Sequence, residues 1–493
     1  METTQILLAL ALIFGFYMAW NIGANDVANA MGTSVGSGAL TLKQAVIVAA
    51  IFEFLGAWLV GANVTETIRK GIFDDKLLEG LELAYGMIAA LLAAGVWLQI
   101  ASYYGWPVST THSIVGAVVG FGCVAVGVQQ IHWNVVGKIA ASWVISPLLA
   151  GTLSFITFGF LLKHVFYQKR PVEAAKRITP YLTALVVFVL AGVTGLKGLK
   201  HFFKENFGWE VKNIGHDDFM WEPYIMTFTI GLIAAFISLF IAQRFVKNMQ
   251  SDDEDDQENG NLDTLNYISR RLTKAKAQMM KVVNNGDSEM QLKASHVMAD
   301  MDKMAHETRV EIEKNTVKKD SSAPTAHSPV ERIFVYLQIL SACFVAFAHG
   351  ANDVANAIGP LAAAYSKLTG YAENVVPPGL LLLGGVGIII GLATWGWRVI
   401  ETVGKKITEL TPSRGFCAEF GAAITILMAS IFGLPISTTH TLVGAVLGVG
   451  LARGLGALNL KTIRDIGVSW VITIPAGAFL SIIFYFILKA IFN

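Results

Sequence analysis

Long apolar runs recur near residues 6–20, 44–62, 83–104, 113–131, 140–162, 180–196, 223–242, 333–348, 379–397, 415–433, 441–458 and 467–491. About 20 apolar residues carry a helix across the hydrocarbon of a bilayer. Only 15% of the 493 residues are charged and 54% are hydrophobic, too little polar side chain to cover a soluble surface. The runs predict an all-α polytopic membrane protein with about 12 transmembrane segments in the lipid bilayer. They exclude a cytoplasmic enzyme and a disordered chain. Several runs are shorter than a full crossing, a mark of broken or re-entrant helices in transporters.

Charge is concentrated in one place. Residues 244–332 hold 14 Lys or Arg and 16 Asp or Glu. This stretch contains an acidic run (Asp252–Asp256 with Glu258), a mixed-charge segment over 261–315 suited to one or two amphipathic helices, and a Ser/Pro-rich linker at 320–329. A helical cytoplasmic loop tethering two membrane halves is the plainest reading. The 163–179 loop carries Lys163, Lys169, Arg170, Lys176 and Arg177. Basic short loops stay inside, so twelve spans place 244–332 in the cytoplasm and both termini on the outer side. The net charge of +1 offers no basic excess for nucleic acid. Cys123, Cys343 and Cys417 have no metal or disulfide spacing and read as small apolar fillers. Met1–Gln5 has no basic n-region, so no cleaved signal peptide is expected.

The chain repeats itself. Gly23-Ala-Asn-Asp-Val-Ala-Asn-Ala30 recurs letter for letter at 350–357, and Pro107-Val-Ser-Thr-Thr-His112 recurs as Pro435-Ile-Ser-Thr-Thr-His440. Ser142-Trp-Val-Ile145 returns at 469–472, and Val64-Thr-Glu-Thr67 has a looser echo at 399–402. The offsets are 327, 328, 327 and 335. Two homologous halves follow: a first membrane repeat (1–165), additional transmembrane helices (166–243), the charged loop (244–332) and a second membrane repeat (333–493). Seven spans separate the first elements of the halves, and an odd number gives them opposite orientation. Inverted repeats with interrupted helices are a secondary-transporter signature, with the substrate near the midplane.

Asp26 and Asp353 lie beside the first apolar run of each half. A carboxylate inside a membrane is costly and marks function by default. Asn25 and Asn29, and Asn352 and Asn356, flank them at i and i+4. Breaks at Gly23 and Gly350 would let each set converge into a nest of hard oxygens for alkali or alkaline-earth cations; polar glue between helices is the plainer alternative. Ser109, Thr110 and Thr111, and Ser437, Thr438 and Thr439, follow a proline suited to a first helical turn. Capped helix ends with free N–H groups cradle anions, and two facing copies could surround one tetrahedral oxyanion. The plainer alternative is routine capping. His112 and His440 fit two roles, donating to the anion or orienting a hydroxyl. The aspartates repel an anion unless cations bind them, so cation-coupled anion uptake follows. Glu53 and Glu419 lie mid-span without equivalents at the repeat offsets; extra cation or proton sites and pairing with buried polar groups both fit. Gly116/Gly120 and Gly444/Gly448 read as close helix packing. A Ser–His–Asp hydrolase is disfavoured, because Ser109 and His112 are neighbours in a duplicated motif without a nucleophile elbow.

These paired motifs resemble the inorganic phosphate transporter (PiT) family across both halves, roughly 1–165 and 333–493. Gly32-Thr-Ser-Val-Gly-Ser-Gly-Ala-Leu-Thr41 and Glu66-Thr-Ile-Arg-Lys-Gly71 look most like its sodium-coupled branch. The resemblance implies a Na⁺/phosphate symporter of the plasma (inner) membrane, with inverted repeats and a homodimeric assembly. No cofactor is implied beyond Na⁺ as the coupling ion, and no enzyme activity. It implies phosphate binding by Ser109, Thr110, Thr111, Ser437, Thr438, Thr439, Asn25 and Asn352. It implies Na⁺ binding by Asp26, Asn29, Asp353 and Asn356. Glu53 and Glu419 match glutamates important for transport, and His112 and His440 complete the coupling set. Proton-coupled, metal–phosphate or sulfate carriage on the same scaffold are the alternatives, with an anion channel the remote one.

Overall fold

Inside a bilayer every backbone polar group must find its partner within the protein, which leaves helices as the economical answer to a long apolar run. The computed structural model describes residues 3–61, 64–65, 71–74, 77–78, 80–198, 200–209, 220–248, 268–269, 272–273, 275–276, 279–280, 288–317, 328–372, 376–400, 410–454 and 460–492. Every apolar run is helical there, and no strand occurs among the described residues. The acidic run at 252–258, most of the 320–329 linker, and Glu66, Thr67, Glu401 and Thr402 of the looser echo lie outside them. So does the side chain of Asn29.

The first half comprises α1 (Thr3–Ile22), a π turn at Gly23–Val27, α2 (Ala28–Gly36), α3 (Leu42–Val60), α4 (Glu82–Tyr103), α5 (Thr110–Gly122) and α6 (Trp133–Leu161). Then come α7 (Pro171–Gly198), α8 (Lys200–Phe207), α9 (Glu222–Asn248) and α10 (Ser288–Val317), the last a polar helix within the charged loop. The second half comprises α11 (Pro329–Thr369), α12 (Pro378–Trp395), α13 (Pro412–Ile431), α14 (Thr438–Arg453) and α15 (Leu460–Phe492). Among the described residues, eleven helices are long and apolar enough to cross a membrane. The remaining run, 441–458, forms α14, whose 16 residues reach only about 24 Å.

Two compact units result. One holds residues 1–159, 182–238 and 335–493, and so contains both repeats; the other holds 160–181 and 239–334. Within the first unit the repeats interlock rather than sit side by side. α1 packs on α12 of the second half, and α5 packs on α15. The equivalent crossings join α3 to α11 and α6 to α14. In α4, α11 and α13 between 72% and 78% of the apolar window is buried, against 11% in α9. The former are the inner helices, and α9 presents Phe236 and Phe240 outward.

Glycine makes these crossings possible. The expected helix breaks at Gly23 and Gly350 do not occur: Gly23 opens a π turn within a continuous helical path, and Gly350 lies in uninterrupted α11. Their role is close approach. A Cβ on Gly350 would lie 2.1 Å from the Glu53 carbonyl oxygen, and one on Gly56 would lie 2.0 Å from that of Phe347. At the equivalent crossing, Gly23 faces the Ile388 carbonyl at 1.8 Å and Gly391 faces that of Trp20 at 1.8 Å. Gly444 and Gly448 meet Pro147 and Gly151 in the same way, while Gly116 and Gly120 meet Ile474 and Ala478. Helix association in lipid depends on such contacts because burial of apolar surface adds little there. Gly350→Ala should therefore force the α3–α11 crossing apart, at roughly 1–3 kcal/mol or more. Gly467→Ala, with open space around it, should be neutral. Thermal unfolding of the two variants in detergent reads the difference.

Candidate functional site

Each Ser-Thr-Thr-His segment starts a helix. Ser109 has extended backbone, and its hydroxyl accepts from the His112 backbone N–H at 3.2 Å; Ser437 does the same for His440 at 3.1 Å. This is N-capping. The prolines were expected in the first turn, but Pro107 and Pro435 precede the caps by two residues. There they keep the incoming chain extended and free their carbonyls. Trp470 Nε1 donates to the Pro107 carbonyl at 3.3 Å, and Trp143 Nε1 to that of Pro435 at 3.4 Å.

The asparagines hold these segments. Asn25 Nδ2 donates to Ser102 Oγ and to the Trp106 carbonyl, both at 3.0 Å. Asn352 Nδ2 repeats this on Ser430 Oγ at 3.0 Å and the Leu434 carbonyl at 3.1 Å. The sets then differ. Asn25 Oδ1 accepts from the Val108 N–H at 3.2 Å, whereas Asn352 Oδ1 is buried without a partner.

The aspartates tie the halves together. Asp26 Oδ2 accepts from Thr110 Oγ1 at 2.5 Å, and its Oδ1 accepts from Thr439 Oγ1 of the other half at 2.6 Å. Asp353 Oδ2 accepts from Thr438 Oγ1 at 2.6 Å, while its Oδ1 is buried without a hydrogen bond. Asn356 Nδ2 donates across the interface to Thr110 and Thr111 Oγ1 at 3.0 and 3.1 Å, and its Oδ1 is likewise unpartnered. Thr111 Oγ1 donates to the Ile436 carbonyl at 2.9 Å, and Thr439 Oγ1 lies 3.2 Å from that of Val108. Two hydroxyl-rich helix starts, one from each half, therefore meet beside both carboxylates.

His349 joins this cluster, and the motif reading missed it. Its Nδ1 lies 2.9 Å from Glu53 Oε2 and its Nε2 3.1 Å from Asp353 Oδ2. The signal was present as an i, i+4 spacing to Asp353 on one helix face. Ligand atoms of Asp26, His349 and Asp353 all lie within 4.8 Å of one another, and all three residues are buried. Such a packed set of carboxylates is costly unless a cation or imidazole neutralises it. The unpartnered oxygens of Asp353, Asn352 and Asn356 are hard donors of the kind alkali cations take.

Glu419 occupies a second polar pocket. It accepts from Thr33 at 2.7 Å, Ser34 at 2.5 Å and Gln338 at 3.2 Å, and also from Ser341. Gly415 leaves the room that Gln338 fills. The histidines of the repeated motif sit apart from the hydroxyls. His112 packs 3.8 Å from Trp143, His440 stacks 3.5 Å from Trp470, and the two imidazoles meet edge to face at 4.3 Å.

The glutamates break the symmetry in a definite way. The α3–α11 and α1–α12 crossings superpose Glu53 on Ile388 and His349 on Ile22. One copy of the crossing thus carries an acid–imidazole pair where the other carries two isoleucines.

The phosphate transporter family matches residues 22–481. A phosphate permease of Chlamydia pneumoniae is 45% identical, the match covering 99% of both chains. The chloroplastic inorganic phosphate transporter 2-1 of Arabidopsis thaliana is 43% identical over 99% of this chain and 73% of its own length. A solved structure titled as the sodium-dependent phosphate transporter has 36% identity and a TM-score of 0.73, covering 99% of this chain and all of that one. With its membrane-length helices and this match over nearly its whole length, the chain is a multi-pass membrane protein and belongs to the phosphate transporter family.

Proposed function

We propose that the chain imports inorganic phosphate together with Na⁺ by alternating access of two inverted repeats. The observation that carries this reading is the set of buried, unpartnered oxygens on Asp353, Asn352 and Asn356 beside two facing serine-capped helix starts. The oxygens suit a hard cation. Ser109 and Ser437 each accept from a backbone amide, which leaves their hydroxyl hydrogens to donate to an oxyanion. The helix ends add positive partial charge. Cation and anion then stabilise each other's sites, which is the coupling free energy a symporter needs. Asp26, Asn29, Asp353 and Asn356 hold Na⁺ in this reading. The Ser-Thr-Thr triplets, with Asn25 and Asn352 fixing their approach, hold phosphate.

Seven membrane-length helices precede α11 among the described residues. That odd number supports opposite orientation of the halves, and the basic 163–179 loop supports a cytoplasmic 244–332 segment in a plasma or inner membrane. The solved relative's title names sodium, which favours Na⁺ as the coupling ion. The homodimer remains part of the proposal.

A second reading, proton coupling, has one observation in its favour: His349 bridges Glu53 and Asp353. Labelled phosphate uptake into proteoliposomes under separate Na⁺ and pH gradients decides between them. Accumulation above equilibrium only with inward Na⁺ supports the symporter; accumulation driven equally by a pH gradient assigns the coupling to protons. Asp26→Asn and Asp353→Asn should each cut Na⁺-driven uptake at least about 100-fold while the protein still folds, since each removes the charge that draws the cation. Near-normal uptake in either variant refutes the assignment. Ser437→Ala should raise the phosphate KM roughly 5–30-fold, the loss of about 1–2 kcal/mol of hydrogen bonding, with a smaller change in Na⁺ dependence.

A further inference from the structure

The corner between α6 and α7 holds a feature that the transport site does not use. A π turn at Leu162–Phe166 ends α6, and α7 begins at Pro171. Between them opens a cavity of about 950 Å³, whose lining includes His164, Lys169, Arg170, Arg177, Phe160 and Ile178. Helical spacing places Arg170, Glu173, Ala174, Arg177 and Ile178 on one face of α7. Phe160 and His164 stack at 4.3 Å across one turn of the opposite wall.

The charge balance inside is one-sided. Lys169, Arg170 and Arg177 face a single carboxylate, Glu173. Arg170 pairs with that carboxylate at 3.1 Å in an exposed contact, a weak bond that an incoming anion can displace. No ion pair engages Lys169 or Arg177 among the described residues. The cavity also opens against the N-terminal turn of a 28-residue helix, where backbone N–H groups favour negative charge. One wall is apolar, formed by Phe160 and Ile178. Basic pockets between transmembrane helices at the headgroup level recognise phosphate-bearing lipids.

We propose that this cavity binds a phosphate-bearing anion whose phosphate is held by Lys169, Arg170 and Arg177. Two sources present that group. An anionic phospholipid would place its headgroup among the cations and its chains along Phe160 and Ile178. Inorganic phosphate would use the cations alone. The apolar wall and the size of the cavity favour the lipid.

The test uses the full chain and the double variant Lys169→Gln/Arg177→Gln, which leaves the Asp26–Asp353 cluster intact. Retention of phosphatidylglycerol against phosphatidylcholine is measured by native mass spectrometry, and the stoichiometry of bound labelled inorganic phosphate by equilibrium dialysis. Loss of two charge-assisted contacts should weaken phosphatidylglycerol retention tenfold or more, with melting temperature and uptake in phosphatidylcholine vesicles unchanged. A drop of one phosphate per chain with lipid retention unaltered identifies the free anion as the occupant. Unchanged lipid retention and unchanged phosphate stoichiometry overturn the proposal. Should the double variant misfold, Lys169→Gln alone carries the same comparison, and Arg177→Lys should keep most of the binding.

Discussion

Asp26 and Asp353 sit in a hydrocarbon-wrapped interior where an unpaired carboxylate is among the most unfavourable groups a protein can hold. Much of the surrounding architecture answers that constraint. One hydroxyl from each half reaches Asp26, an imidazole reaches Asp353, and asparagines fix the loops that present those hydroxyls. The helix starts must approach closely for this, and glycine at each crossing lets backbones come together where any side chain would hold them apart. Packing and polar chemistry therefore depend on one another: a half that loosens its crossing also loses the partner of its carboxylate.

The contacts of the two halves match closely but incompletely, and the differences fall on residues of the buried polar cluster. Glu53 and His349 stand where Ile388 and Ile22 stand in the other copy. Asn25 has both ends of its amide engaged, whereas Asn352 keeps a bare oxygen. One aspartate thus lies in a satisfied hydrogen-bond network and the other beside open acceptors. Two sets of residues that repeat in sequence therefore differ in the oxygens they leave open.

Much of this was readable from the chain. The apolar runs set the helices because lipid permits little else, and the letter-for-letter repeats identified the aspartates, asparagines and capped triplets that the fold brings together. What the sequence withheld is geometric. Gly23 and Gly350 looked like helix breakers, since spacing alone cannot reveal that a carbonyl oxygen of a distant helix fills the place of their Cβ. His349 escaped because its partner Glu53 is 296 positions away. The Glu419 pocket draws Thr33 and Ser34 from one half and Gln338 and Ser341 from the other, and no local pattern marks such a set. Adjacency in sequence left His112 and His440 either donating to the anion or orienting a hydroxyl, and could not reveal that their rings pack on Trp143 and Trp470.

The cross-half bond between Asp26 and Thr439 spans 413 positions of chain. At ordinary translation speeds of about 5–20 residues per second, roughly 20–80 s separate the emergence of the two partners. Throughout that interval the first repeat must wait in the membrane with one oxygen of its carboxylate lacking its hydroxyl partner and the backbone groove beside Gly23 unfilled. Biogenesis of this protein is therefore a holding problem as much as a folding one. The insertion machinery, or a neighbouring segment of the same chain, has to shelter a polar half-site until its other half arrives.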